Sequence, residues 1–214
     1  MKKFAVVLAG SGVFDGAEIH EATLTLLAIH QQGGEYDIFA PNIPQHHVIN
    51  HLTGEEMPEK RNVLVESARI ARGKISDLKD FNPDDYEAII FPGGFGAAKN
   101  LSTVAFDGPN AKVNHDVEVA VKGMLERGKP IGALCISPAV IAKIIGDVQV
   151  TIGQDQGTID AIKAMGGTHV ETTHGEVVVD EKNKIFTTPC YMLDANISQI
   201  ADGANNVVRE MMKA

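Results

Sequence analysis

A cysteine and a glutamate are the residues of this chain best placed to do chemistry together. Cys135 stands in Pro130-Ile131-Gly132-Ala133-Leu134-Cys135-Ile136-Ser137-Pro138, between a short apolar run and a segment with helical character. That placement predicts a sharp strand-to-helix turn, with small residues, Ala133 and Ser137, two positions to either side where the chain segments nearly touch. Pro138 suits the first helical position, and Ser137 is expected as the cap. A thiol at a helix N-terminus meets the positive end of the dipole, so its pKa is expected to fall and its thiolate to be exposed and reactive. A buried core cysteine is the other reading of the same residue.

A nucleophilic thiol needs a proton acceptor. The segment Glu18-Ile19-His20-Glu21 supplies candidates. Asp15 reads as a helix cap with Glu18 as the return half of a capping box. Glu21, one turn in, is then left either as a solvated surface carboxylate or as a partly buried acid with a raised pKa. Gly93 and Gly94 follow the apolar run Ala88-Ile89-Ile90-Phe91. Bare glycine backbone can bring amides close to an oxygen, and with the Ile136 amide it could form an oxyanion hole beside the thiol.

The other motifs are weaker. Gly10-Ser11-Gly12 begins a dinucleotide-type loop but Asp15 stands where the third glycine belongs. His46, His47 and His51 crowd one loop without a cysteine or a paired carboxylate motif, so no metal is expected. Cys190, after Thr187-Thr188-Pro189, reads as a packed strand-end residue.

The elements that must hold these residues alternate. Continuous apolar runs at Phe4–Ala9 and Tyr86–Phe91 suit buried parallel strands, and further strands are expected at Tyr36–Ala40, Ile131–Leu134, Val148–Thr151, His169–Glu171, Val177–Val179 and Ile185–Thr188. Helical patterns fall between them, at about 15–32, 59–72, 111–126, 137–145 and 160–165, with a last one over 193–212. Val179 to Ile185 reads as a hairpin connection. The alternation predicts an α/β fold with a mostly parallel central sheet and helices on both faces. The Gly10 loop, the Gly93 loop and Cys135 each follow a strand, so all three should open on one sheet edge. Residues 41–58 form a long irregular segment, expected to be functional or a local insertion.

The chain has 214 residues, 44% hydrophobic and 22% charged, with a formal net charge of −9. One domain over 1–214 is expected. The negative charge and the lack of any basic run argue against nucleic acid and anionic membrane as partners. No apolar stretch is long enough to span a bilayer, and the N-terminal apolar run is too short for a signal peptide. Two cysteines make no disulfide framework, and a reducing, cytoplasmic setting is the expectation.

Several blocks then show a resemblance to a known family. Gly12-Val13-Phe14-Asp15-Gly16 with Glu18-Ile19-His20-Glu21-Ala22 is one. Val48-Ile49-Asn50-His51-Leu52-Thr53-Gly54-Glu55 is another. Phe91-Pro92-Gly93-Gly94-Phe95-Gly96-Ala97-Ala98-Lys99-Asn100-Leu101 and Cys135-Ile136-Ser137-Pro138-Ala139 follow, with a last block from Val178 to Lys184 and on into Thr187-Thr188-Pro189. Together these resemble the ElbB-type branch of the ThiJ/PfpI superfamily. The resemblance implies a flavodoxin-like three-layer sandwich with a class I glutamine amidotransferase-like domain, and a homodimer. It implies Cys135 as nucleophile, Glu21 as its acidic partner, and Gly94 and Ile136 as amide donors around the sulfur. It also implies a cofactor-free, glutathione-independent glyoxalase acting on a small 2-oxoaldehyde, and by older naming an association with isoprenoid biosynthesis. Ile136 stands where the peptidase branch has histidine, which removes that branch's base. Ser11 stands where ElbB-type proteins often carry a cysteine. A thiol-based stress sensor or binding protein is the competing reading.

Overall fold

The structure, a computed structural model, describes all residues 1–214. Strand β1 (Lys3–Val7) leads through a glycine-rich loop into helix α1 (Ile19–Gln31), then β2 (Glu35–Ala40). After the 41–58 segment come α2 (Val63–Ile70), β3 (Ser76–Asp77), β4 (Ala88–Phe91), and the short helices α3 (Phe95–Lys99) and α4 (Val104–Asp107). Helix α5 (His115–Glu126), β5 (Ile131–Leu134) and α6 (Ser137–Ile145) form the next unit. The remainder is β6 (Gln149–Val150), α7 (Gln156–Ala164), β7 (Thr168–His169), β8 (Val178–Asp180), β9 (Ile185–Thr188) and α8 (Ile197–Lys213).

Seven strands make the central sheet in the order β3-β2-β1-β4-β5-β9-β8. Every pairing is parallel except the β8–β9 hairpin. The α/β sandwich with a mostly parallel sheet is therefore as the sequence indicates. The period of two along β1 divides the core. Phe4, Val6 and Leu8 belong to the apolar layer beneath α1 and α8, with Ile29, Ile200, Val208 and Met211. Ala5, Val7 and Ala9 belong to the layer beneath α5 and α6, with Val117, Val121, Met124 and Ile141. Strands buried on both faces must be apolar at every position, which is why their runs are continuous.

Several boundaries differ from the sequence reading. Helix α1 begins at Ile19, capped by the Glu18 carboxylate accepting from the Glu21 amide at 2.7 Å. Asp15 does not cap it. Asp15 is buried and accepts from the Ile49 amide at 2.7 Å instead, tying the 41–58 segment to the first glycine loop. The same segment places His51 against Phe14, with ring centroids 4.9 Å apart. Helix α5 starts at His115 rather than near 111, where Asn114 caps it. Strands β6 and β7 lie outside the main sheet as a separate parallel pair.

Loop backbones interlock at the carboxyl edge of the sheet. The Glu18 amide donates to the Gly93 carbonyl at 2.9 Å, the Phe95 amide to Val13 at 2.8 Å and the Gly96 amide to Gly16 at 2.8 Å. Gly94 sits at φ 96°, and a Cβ there would collide with the backbone of Glu18 and Gly16. Gly94→Ala therefore combines a left-handed conformation with a steric clash that no side chain can relieve. It should cost about 3 kcal/mol or more, read as a fall in the chemical-denaturation midpoint. An unchanged midpoint would show that the two loops can separate freely.

Candidate active site

Cys135 occupies the turn between β5 and α6 at φ 59°, a left-handed value uncommon for any residue but glycine. Its amide donates to the Thr188 carbonyl at 3.0 Å, which anchors the turn to the end of β9. The cap of α6 is Ile136, not Ser137. Ser137 opens the helix, and its hydroxyl donates to the Pro92 carbonyl at 2.9 Å. That bond fastens the elbow to the Gly93 loop, a tie that the expected cap did not include.

The Glu21 carboxylate is wholly buried beside Cys135: its Oε2 and the Cys135 sulfur both lie within 3 Å of where a Cβ on Gly93 would stand. Two amides from different loops hold it: Gly93 donates to Oε2 at 2.9 Å, and Tyr191 donates to Oε1 at 3.2 Å. Gly93 thus faces the carboxylate rather than an oxyanion site, contrary to expectation. Its role is to position Glu21. The amides facing the sulfur are those of Gly94 and Ile136. A Cβ on Gly93 would also run into Cys135, so this approach requires glycine.

Burial governs the electrostatics. Desolvation raises the Glu21 pKa from 4.5 to about 8, helped by the charge of Glu18 and opposed by the Tyr191 and Gly93 amides. Desolvation also pushes the Cys135 thiol well above its ordinary value, with the Glu21 charge adding to it and the Gly94 and Ile136 amides opposing. The lowered thiol pKa expected from the helix dipole is therefore overturned. Cys135 is only 6% exposed, and a dipole worth at most about 2 kcal/mol does not offset the loss of hydration around a buried thiolate. The Glu21 contribution to this rise exists only while Glu21 is ionised. Once Glu21 holds a proton, its carboxyl can donate to the sulfur and stabilise a thiolate.

The thiol is buried yet not sealed. Cys135 lines a cavity of about 350 Å³. Val13 and Phe95 form walls from the two glycine loops, Ile136 from the elbow, Tyr191 and Met192 from the segment after β9, and Asp155 and Thr158 from the start of α7. The sequence reading missed Tyr191 and Met192. The rule that ligands gather at the carboxyl ends of strands points to them, because β9 ends at the same edge. The Tyr191 hydroxyl pairs with His20 Nδ1 at 2.8 Å. The remaining histidines lie elsewhere: His46 and His47 pack against Phe106, and His169 accepts from the Ile152 amide.

Residues 11–190 match the model of the DJ-1/PfpI family. The chain belongs to that family. A human relative, glutamine amidotransferase-like class 1 domain-containing protein 3, mitochondrial, is 48% identical across 99% of this chain and 82% of its own length. A crystal structure of an isoprenoid biosynthesis protein with amidotransferase-like domain from Ehrlichia chaffeensis superposes with a TM-score of 0.94. It is 37% identical and covers 100% of this chain and 99% of that one. Glyoxalase III from Candida albicans shares the fold at a TM-score of 0.65, with 15% identity and coverage of 100% and 97%. The cytoplasmic expectation is corrected by the human relative, which is named as a mitochondrial protein. Two cysteines without a disulfide framework do not distinguish one compartment from another.

Proposed function

We propose that this DJ-1/PfpI protein is a cofactor-independent glyoxalase of the ElbB type, converting a 2-oxoaldehyde to a 2-hydroxy acid. The observation that carries this reading is the buried Glu21 carboxylate beside the Cys135 sulfur, with that sulfur opening on a cavity and the Gly94 and Ile136 amides next to it. The Candida albicans neighbour named glyoxalase III lends support at the level of the fold. The Ehrlichia neighbour, named for isoprenoid biosynthesis, supports the ElbB-type branch.

The geometry supports the following sequence. The Cys135 sulfur adds to the aldehyde carbon, and a carbon–sulfur bond replaces the carbonyl π bond. The Gly94 and Ile136 amides stabilise the resulting alkoxide, which takes the proton held by Glu21. The Glu21 carboxylate then removes the hydrogen from that carbon as a proton, giving an enediolate, and returns it to the neighbouring carbon while the hydroxyl proton passes from the first oxygen to the second. The product is a thioester on Cys135. Water hydrolyses it, releasing glycolate from glyoxal or lactate from methylglyoxal and restoring the thiol. One carbon is oxidised and its neighbour reduced, so no external electron carrier takes part.

The sensor reading fares less well. Redox-sensing thiols are exposed and of low pKa, whereas Cys135 is buried with its pKa raised. Peptidase or amidase chemistry lacks the histidine base that Ile136 displaces.

The test is to incubate the protein with glyoxal or methylglyoxal, without glutathione and with a metal chelator, and to measure hydroxy acid formation. Glycolate and lactate are expected in amounts equal to the aldehyde consumed. No hydroxy acid, combined with ready peroxide oxidation of Cys135, would reverse the assignment in favour of the sensor.

A further inference from the structure

The cavity is much larger than the aldehyde it is proposed to hold. A cavity of about 150 Å³ suffices for benzene, and this one measures about 350 Å³. Glyoxal has four heavy atoms and methylglyoxal five, so either would leave most of the space beyond the sulfur unfilled. The walls in that space are apolar: Val13, Phe95, Ile136 and Met192, with the ring of Tyr191. Phe95 is 48% exposed while lining the cavity, so much of its ring awaits a partner.

The charges narrow the ligand further. No lysine, arginine or histidine lines the cavity. The charged side chain that does is Asp155, and its Oδ1 is committed to the Thr158 amide at 2.8 Å and hydroxyl at 2.7 Å. Lys99 lies over the Phe95 ring, but its ammonium is held by the Phe14 carbonyl at 2.9 Å. A substrate carrying a carboxylate or phosphate would meet no counter-ion, and Asp155 would repel it. Glutamine carries such a carboxylate.

From volume and lining together we infer that the preferred substrate is an uncharged 2-oxoaldehyde bearing an apolar group about the size of a six-membered ring. The aldehyde sits at Cys135, and the apolar group lies against Phe95 and Met192. This inference rests on the carbonyl addition proposed above and specifies its substrate. Burying such a group against an apolar wall discriminates by tenfold or more, since a single methylene already gives roughly 10–200-fold.

The experiment compares kcat/KM for methylglyoxal, cyclohexylglyoxal and an alkylglyoxal of the same size ending in a carboxylate. The first two have similar carbonyl electronics, so their ratio reports the wall. Cyclohexylglyoxal should exceed methylglyoxal at least tenfold, and the carboxylate analogue should fall to the methylglyoxal value or below. Phe95→Ala, and independently Met192→Ala, should each lower the cyclohexyl-to-methyl ratio at least fivefold. Equal rates on all three substrates, or preference for the carboxylate analogue, would overturn the inference while leaving the glyoxalase reading intact. No turnover of any substrate, with no aldehyde adduct on Cys135 by intact-protein mass spectrometry, would sink the glyoxalase reading and this inference together.

Discussion

Cys135→Ala should lower hydroxy acid formation by at least about a thousandfold, because it removes the atom that forms the covalent intermediate. Cys135→Ser should do nearly the same. A hydroxyl has a far higher pKa than a thiol, and the same desolvation opposes its ionisation. The fold should survive both changes. Alanine fills most of the space of a small side chain, and the Thr188 tie is made by the backbone amide. Far-ultraviolet circular dichroism and the denaturation midpoint check this separately from activity. Turnover persisting in Cys135→Ala above one tenth of the parent value would mean that some other group attacks the aldehyde, and the elbow would be structural only.

Replacing Glu21 with glutamine should have the next largest effect, in two measurements that can be made apart. The first is catalytic. The productive form of the pair shares one proton between carboxyl and sulfur, whereas below about pH 8 the pair holds both. The parent kcat/KM should therefore rise with pH through about 8, and Glu21→Gln should lose roughly a hundredfold or more together with that rise. The second is conformational. Glu21 keeps its proton to about pH 8 when folded and releases it near 4.5 when unfolded. Between those values the folded state binds more protons, so parent stability must fall as pH increases across the window, by up to ~5 kcal/mol. Glu21→Gln has nothing to ionise and should show a flatter curve. A parent whose unfolding midpoint is constant from pH 5 to 8, with a rate that is also pH-independent, would show that Glu21 is ionised throughout.

The architecture was legible because strands buried on both faces leave continuous apolar runs, and β1, β4 and β5 all do so. The elbow was legible because Ala133, Cys135, Ser137 and Pro138 have the right sizes at the right spacing. The start of α1 was not. By residue type Asp15 is the better cap, but the Gly93 carbonyl takes the Glu18 amide and fixes the helix start three residues later. Local preference yielded to a contact more than seventy residues away. The proton affinity of Cys135 is not legible in the sequence for a related reason. A helix terminus can be read from sequence, whereas the closure of α1 and the Gly93 loop over the sulfur is a property of the assembled sheet edge. The cavity walls are not legible because Phe95, Tyr191 and Met192 stand out only once two segments distant in sequence meet at the sheet edge.

The interlocked backbones around Gly16, Gly94 and Gly96 have a practical consequence for anyone redesigning this protein. The main chain beneath the sulfur admits no added atom, so new selectivity must come from outward-facing side chains alone. A combinatorial library restricted to Val13, Phe95, Thr158 and Met192 would sample different substrates on an unaltered platform, while randomising the glycines would return mostly unfolded chains.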